Sequence, residues 1–315
     1  MRRQTKERMN TVKKNRRSES AVNSQLIRRP IQKLFPIFLL PTFACFCIGF
    51  LWPFLQGIYL SFCKFTITSN AKWIGIDNYV KAMQDPGFMH AFGYTALVAV
   101  SSLVIINVLA FAVAYALTRN IAGANLFRGV FFLPNLIGGI VLGYIWSMIF
   151  DGFLQNYNTS IVLNSTYGYW GLIIMLCWQQ IGYMMIIYIA GLQSVSEDML
   201  EAAQIDGANG WHTLWHITIP TVMPSITICT FLSLTNGFKL FDQNLVLTGG
   251  QPFSFRPDGT VLRTTEMLAL NIYNTFYLNS KSRGVGQAKA VLFFVLVAVI
   301  ALVQLRATHS KEVQQ

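Results

Sequence analysis

Apolar residues in this chain neither alternate with period two nor recur as a 3.6-residue stripe; they come in long blocks without charge. A helix needs about 20 such residues to cross a hydrocarbon core of about 30 Å. Six windows approach that length, at 34–63, 92–118, 129–150, 169–193, 221–238 and 290–305. The first holds 30 uncharged residues, too many for a cleavable signal core of about 7 to 15. It reads as a span with kinks at Pro36, Pro41 and Pro53. Arg119 closes the second window, and Arg128 and Asp151 bound the third. Residues 155–168 are uncharged but rich in Asn, Ser, Thr and Tyr, so they read as a polar loop ahead of the fourth span. The sixth window is only 16 residues, which predicts that Lys289 and Arg306 snorkel to the interfaces. Residues 267–278 suit a short or re-entrant helix. Gly139 and Gly143 form a small-xxx-small pair, a spacing common by chance in such segments and given little weight. The expected architecture is an all-α polytopic membrane protein of about six transmembrane helices.

Composition agrees: 53% of the 315 residues are apolar and 12% charged, which excludes a soluble domain of ordinary make-up. The net charge of +11 would suggest nucleic acid if it were spread along the chain. Residues 1–33, however, carry eleven Lys/Arg against Glu7 and Glu19. That placement predicts a basic cytoplasmic tail that touches anionic headgroups of the bilayer, and no aromatic platform interleaves the charges as RNA binding would need. The domain reading is a tail at 1–33, a transmembrane domain at 34–306 with a distinctive loop at 194–220, and a cytoplasmic tail at 307–315. Both termini are placed inside, with Arg119 and Arg128 in an inner loop. Six Lys/Arg in 239–289 run against the positive-inside rule, which long loops obey poorly. The five cysteines lack paired metal-ligand spacing and read as small buried hydrophobes.

The loop is EAAQIDGANGWHTLWHITIP, residues 201–220. Ser194 and Glu197 have capping-box spacing, and acids at 197, 198 and 201 suit the positive end of a helix. Met199, Ala202, Ala203 and Ile205 give that helix a small apolar strip. Gly207, which tolerates positive φ, breaks it together with Asn209 and Gly210. Trp211, Leu214 and Trp215 then give a second short helix an aromatic face. A helix resting on headgroups should be rich in Lys/Arg, and this one has none. An elbow that accepts another protein fits better, with Glu201 available to a basic partner residue.

The order Glu201, Ala202, Ala203, Gly207, Ile217, Ile219, Pro220 resembles the EAA loop of permease subunits in binding-protein-dependent ABC importers. Asp206, Ala208 and Pro224 make it most similar to the carbohydrate-uptake type, with Ile219 standing where Leu is usual. The resemblance extends through Phe127 and Arg128 into FFLPNLIGGIVLGYIWSMIF, Gly152 with Asn156, LTGGQP at 247–252 (GGP is the usual form) and the IYNTFY to GVGQAKAVLFF region, so it covers about 35–306. It implies an ATPase-coupling role for Glu201, Ala202, Ala203, Asp206, Gly207, Ile217 and Pro220, inserted into a cleft of a cytoplasmic ATPase. It also implies a second permease subunit, two ATPase subunits, an extracellular or periplasmic solute-binding protein, and a place in the bacterial cytoplasmic membrane. The cargo implied is a saccharide or polyol derivative, moved inward by alternating access without a cofactor.

No enzyme is legible. The chain lacks G-x-x-x-x-G-K-[ST], so ATP hydrolysis is expected on a separate chain. His212 and His216 have the i, i+4 spacing of a zinc pair, but no Glu follows His212 and the aromatic neighbours suggest packing, so no metal is expected. Two glycosylation-type sequons, at Asn158 and Asn164, are discounted. Polar side chains within spans usually face a cavity or another helix. The substrate-path candidates are Asn107, Tyr144, Trp146, Gln179, Gln180, Tyr183, Asn236, Lys239 and Asp242. A solitary secondary transporter would need intramembrane carboxylates for coupling, and the spans hold almost none. A scaffold that recruits a partner without transport is a third reading, which ATP-dependent uptake separates from the others.

Overall fold

The computed structural model describes residues 35–119, 121–257 and 259–309. The basic tail at 1–33 lies outside them. The chain divides after Tyr59 into two compact units. Residues 35–59 of helix α1, Phe35–Ser61, are the described part of the first, and none of the helix's apolar window is buried. A π-helical turn at Cys47–Leu51, with the Trp52 amide donating to the Cys47 carbonyl, precedes Pro53. Proline lacks the amide an uninterrupted helix would use there, so the chain shifts register instead of breaking.

In the second unit a two-strand hairpin, β1 (Cys63–Lys64) with β2 (Lys72–Trp73), leads into α2 (Asp77–Gln84). Asp85 then caps α3, Pro86–Leu117, by accepting from the Gly87 amide, with proline at the first helical position where its missing donor costs nothing. There follow α4 (Ala124–Phe132), α5 (Gly139–Leu154), α6 (Ser165–Leu192) and α7 (Glu197–Ile205). Next come α8 (Gly210–Thr221), α9 (Met223–Phe238) and α10 (Asp242–Leu247). A hairpin of β3 (Phe253–Phe255) with β4 (Val261–Arg263), then α11 (Leu268–Tyr277) and α12 (Arg283–His309), complete the unit.

Among the described residues four continuous helices are long and apolar enough to cross a membrane, and two bent pairs bring the number to six. α6 is the central post: 61% of its apolar window is buried, against 28% for α3. Its Leu172, Met175, Leu176, Met184, Met185 and Tyr188 pack with Val98, Ile106, Ala110 and Ala114 of α3 and Cys229 of α9. The opposite face of α3 exposes Leu97, Val100, Val104 and Val108. That spacing is one helical stripe, apolar on the outside as well as the inside, as lipid requires. Tyr169 donates to Ser101 and Tyr188 to Asn107, so contacts advance along α3 and α6 in the same direction. The two helices run parallel, and a crossing must lie between them.

That crossing corrects the continuous third span expected at 129–150. The chain bends by 101° between α4 and α5, where a 3-10 turn holds Pro134 and residues Ile137 and Gly138 are extended. Contacts of this segment with α6 march from Gly182 against the Phe131 carbonyl, through Gln179 on the Ile137 carbonyl, to Gly171 beside Phe150. The pair therefore traverses as one broken span. The fifth window forms as the continuous helix α9, and the elbow's second helix α8 meets it at a bend of 71°, where Pro220 and Pro224 flank Val222. Gly139 and Gly143, given little weight from spacing alone, sit where α10 presses on α5. A Cβ on either would lie 2.9 Å from Asp242 or Val246 carbon.

Three further expectations are corrected. α6 begins at Ser165, capped by Asn164, because the Asp151 carboxylate gathers Ser160 and the Ile161 amide and folds the preceding polar loop short. Cys63, Cys177 and Cys229 are buried, but Cys45 is exposed and Cys47 half-buried on α1. Lys289 does not snorkel: it is fully buried, six residues inside a helix that starts at Arg283 and continues to His309 through the first residues of the expected C-terminal tail.

Candidate functional site

The helix–turn–helix between α6 and α9 is built by three caps. Ser196, not Ser194, accepts from the Met199 amide at 3.3 Å. Ser194 still belongs to the end of α6 and donates to the Gly191 carbonyl at 2.7 Å. At the other end of α7, Gly207 takes φ +78°, the Ala208 amide reaches the Ala203 carbonyl at 2.9 Å and the Gly207 amide reaches Gln204 at 3.1 Å. This bonding is a Schellman closure, which needs a left-handed residue at that one position. Asn209 then accepts from the His212 amide at 2.8 Å and starts α8. Two helices are thereby joined through four residues.

Its surface is unusual for an isolated loop. Ile205 is 86% exposed, Trp211 68% and Trp215 52%, beside exposed Glu201, Ala202, Asp206 and Gly207. Ala203 is buried, while Ile217 and Pro220 are half-buried at the base. Among the described residues none of Glu197, Asp198, Glu201 or Asp206 forms an ion pair. Apolar and acidic groups thus stand exposed side by side on this surface. His212 and His216 stack with ring centroids 4.5 Å apart, and His216 Nδ1 is bonded to the His212 carbonyl. No group of three metal-ligating side chains occurs among the described residues.

The substrate-path candidates divide. Asn107 ties three helices together: its amide donates to Leu103 O and Ser233 Oγ, and its carbonyl accepts from the Tyr188 hydroxyl at 2.7 Å. Gln179 accepts from Gln243 at 3.0 Å and donates to the Ile137 carbonyl, so it pins the break between α4 and α5. Gln180 accepts from Asn236 at 3.4 Å; Asn236 and Lys239 are exposed and Tyr183 half-buried. Trp146 meets Trp178 edge-on at 5.7 Å. Tyr144 is 64% exposed on α5, and Asp242 opens α10 against Gly139. The structure thus links Gln180 with Asn236, and Gln179 with the unforeseen Gln243, while Tyr144 forms no described bond with any of them.

A second polar cluster escaped sequence reasoning. Lys289 Nζ donates to Asp85 at 2.5 Å, Asn271 at 2.8 Å and Thr275 at 2.8 Å. Asn271 in turn donates to Glu266, which also accepts from Asn274 and lies 3.7 Å from Arg263. The cluster joins the start of α3 to α11 and α12. All three hydrogens of the buried ammonium are satisfied, the condition for burying it. The signal available was Lys289 itself, since a lysine inside an otherwise apolar helix calls for a carboxylate partner.

The fold and these sites were compared with known proteins. The model of the family described as binding-protein-dependent transport system inner membrane component matches residues 106–308. The chain belongs to this family. It is the permease of a binding-protein-dependent ABC importer, a transport protein and not an ATPase. It is 40% identical over 286 residues, 88% of this chain and 94% of the relative, to the probable starch degradation products transport system permease protein AmyD of Thermoanaerobacterium thermosulfurigenes. It is 30% identical, over 84% of this chain and 92% of the relative, to the multiple sugar-binding transport system permease protein MsmF of Streptococcus mutans. In fold the permease matches a chain of a bacterial ABC transporter involved in import of the acidic polysaccharide alginate, with TM-score 0.74, 19% identity and coverage of 90% and 98%. The alginate transporter has also been solved in complex with its alginate pentasaccharide-bound periplasmic protein. Membership closes the solitary-transporter and scaffold readings.

Proposed function

We propose that this permease is one half of a transmembrane pair importing a saccharide or a related polyol, with the elbow at 194–220 docked in a cleft of a cytoplasmic ATPase subunit. The observation that carries the coupling is one of connectivity. The elbow joins the C-terminal end of α6 to the N-terminal end of α9 through α7 and α8, and those two helices carry Gln179, Gln180, Tyr183 and Asn236. A rigid displacement of the capped elbow tilts both helices against α3, to which they are bonded at Tyr188, Ser233 and Asn107. The breaks at 134–138 and 221–222 supply hinge points, since extended or proline-flanked residues absorb rotation that a continuous helix would resist.

On this reading the elbow lies in the cytoplasm with both termini, the cargo arrives on an external binding protein, and ATP closure of two partner ATPases opens the spans outward. Amide and aromatic side chains on the α6–α9 strip suit sugar hydroxyls and ring faces; AmyD and MsmF, by name, serve starch products and multiple sugars. The test is co-expression with the neighbouring transport genes, followed by purification and ATP-driven uptake of labelled oligosaccharide into vesicles. Glu201→Lys is expected to lose both ATPase association and uptake in a folded protein. Retention of both at wild-type level would refute the elbow assignment.

A further inference from the structure

At the end of the bundle away from the elbow, a groove of about 670 Å³ is lined by Lys64, Lys72, Lys81 and Lys281, with Asn70 and Ser282. No carboxylate lines it, and among the described residues none of the four lysines forms an ion pair. Two of them are forced together by register. Lys64 and Lys72 are directly opposite in the β1–β2 ladder, where like charges destabilise a hairpin. The hairpin is nonetheless held firmly. Asn78 donates to the Ser61 and Cys63 carbonyls, Phe62 stacks on Trp73 at 5.1 Å, and α12 starts so close that a Cβ on Gly284 would lie 2.3 Å from the Cys63 carbonyl. The amides nearby are occupied: Asn70 bonds within its own turn and Asn78 holds the carbonyls named above. The ammonium groups are what the groove offers.

We infer that this groove binds the phosphodiester headgroup of an anionic phospholipid. Position selects a lipid over a soluble acidic partner. Lys64 lies three residues beyond the end of α1, and Lys281 two residues before α12 begins. At about 3.3–3.6 Å per residue, Lys64 stays within about 11 Å and Lys281 within about 7 Å of the ends of membrane-length helices, close to the headgroup layer that flanks the hydrocarbon core. An anionic headgroup there neutralises the Lys64–Lys72 repulsion and bridges the hairpin, α2 and α12. Each basic residue at such a surface contributes a Coulomb attraction that salt weakens. The inference requires a membrane-spanning chain, not sugar as the cargo.

The test uses the full-length chain in uncharged detergent, titrated with short-chain phosphatidylglycerol or with phosphatidylcholine of the same chain length, reading thermal unfolding and lipid retention by native mass spectrometry. Wild type gains stability from phosphatidylglycerol alone. Lys64→Gln with Lys72→Gln lowers that lipid's affinity roughly 30-fold and, without lipid, unfolds no earlier than wild type because the repulsion is gone. Lys64→Arg with Lys72→Arg retains binding, and Lys281→Gln gives an independent, smaller loss. Equal stabilisation by both lipids, or full retention of phosphatidylglycerol by the Gln pair, overturns the inference. So does a Gln pair whose lipid response is intact while it fails to bind the solute-binding protein, which would make the groove an acidic-protein dock.

Discussion

The elbow and the Lys289 cluster both place charge beside apolar helices, and they handle it in opposite ways. In the cluster every hydrogen of the buried ammonium is matched by an oxygen of this same chain. In the elbow four carboxylates form no ion pair among the described residues and lie beside exposed Ile205 and Trp211. Burial forces internal pairing because an unmatched charge in low dielectric costs several kcal/mol; exposure removes that demand and leaves the groups for a partner. Internal satisfaction fits the cluster's place in the scaffold, and the open carboxylates of the elbow are what its proposed docking role would use.

The comparison breaks first at Asp85. Asp85→Ala should cost about 3 kcal/mol or more, as stranding a buried cation does, together with the cap of α3, and the protein should unfold earlier in a thermal scan. Asp85→Asn with Lys289→Met should recover much of that loss; no recovery would mean that the pair is not what holds α3 to α12. The elbow should behave inversely. Ala202→Arg is expected to reduce ATP-driven uptake at least tenfold with an unchanged melting curve, and a parallel fall in stability would show the surface to be scaffold after all. Asn107→Leu should lie between, with a stability loss of about 0.6–1.7 kcal/mol, the range of bonds between membrane helices. The smallest effect should be Gly207→Asn, because Asn tolerates the left-handed turn and a Cβ there meets nothing. Gly207→Glu at the same site should uncouple transport, and the contrast separates backbone strain from loss of the docking surface.

The elbow's two helices and its turn residue were legible because caps and left-handed glycines are local: Asn209 and Gly207 act within a few residues of themselves. Even so the cap fell on Ser196 where Ser194 was expected, since how far α6 runs is decided by packing at Gly191 and Val222. The short helix expected at 267–278 formed over Leu268–Tyr277. Its bonds to Thr95 and Lys289 join residues 173 and 18 positions apart, and no local pattern announces them. The bonds of Asn107 to Ser233 and Tyr188 were illegible for the same reason.

The sequence by itself determined where membrane-length apolar segments lie and that a polar, acidic loop interrupts them, because hydrocarbon thickness and backbone hydrogen bonding impose those patterns residue by residue. Only the tertiary structure decided that the third span is broken and that Lys289 turns inward. Each depends on what a side chain meets from a distant part of the chain. Lysine at the edge of an apolar segment is equally at home in headgroups or against a carboxylate, and Asp85, 204 residues away, tips the balance.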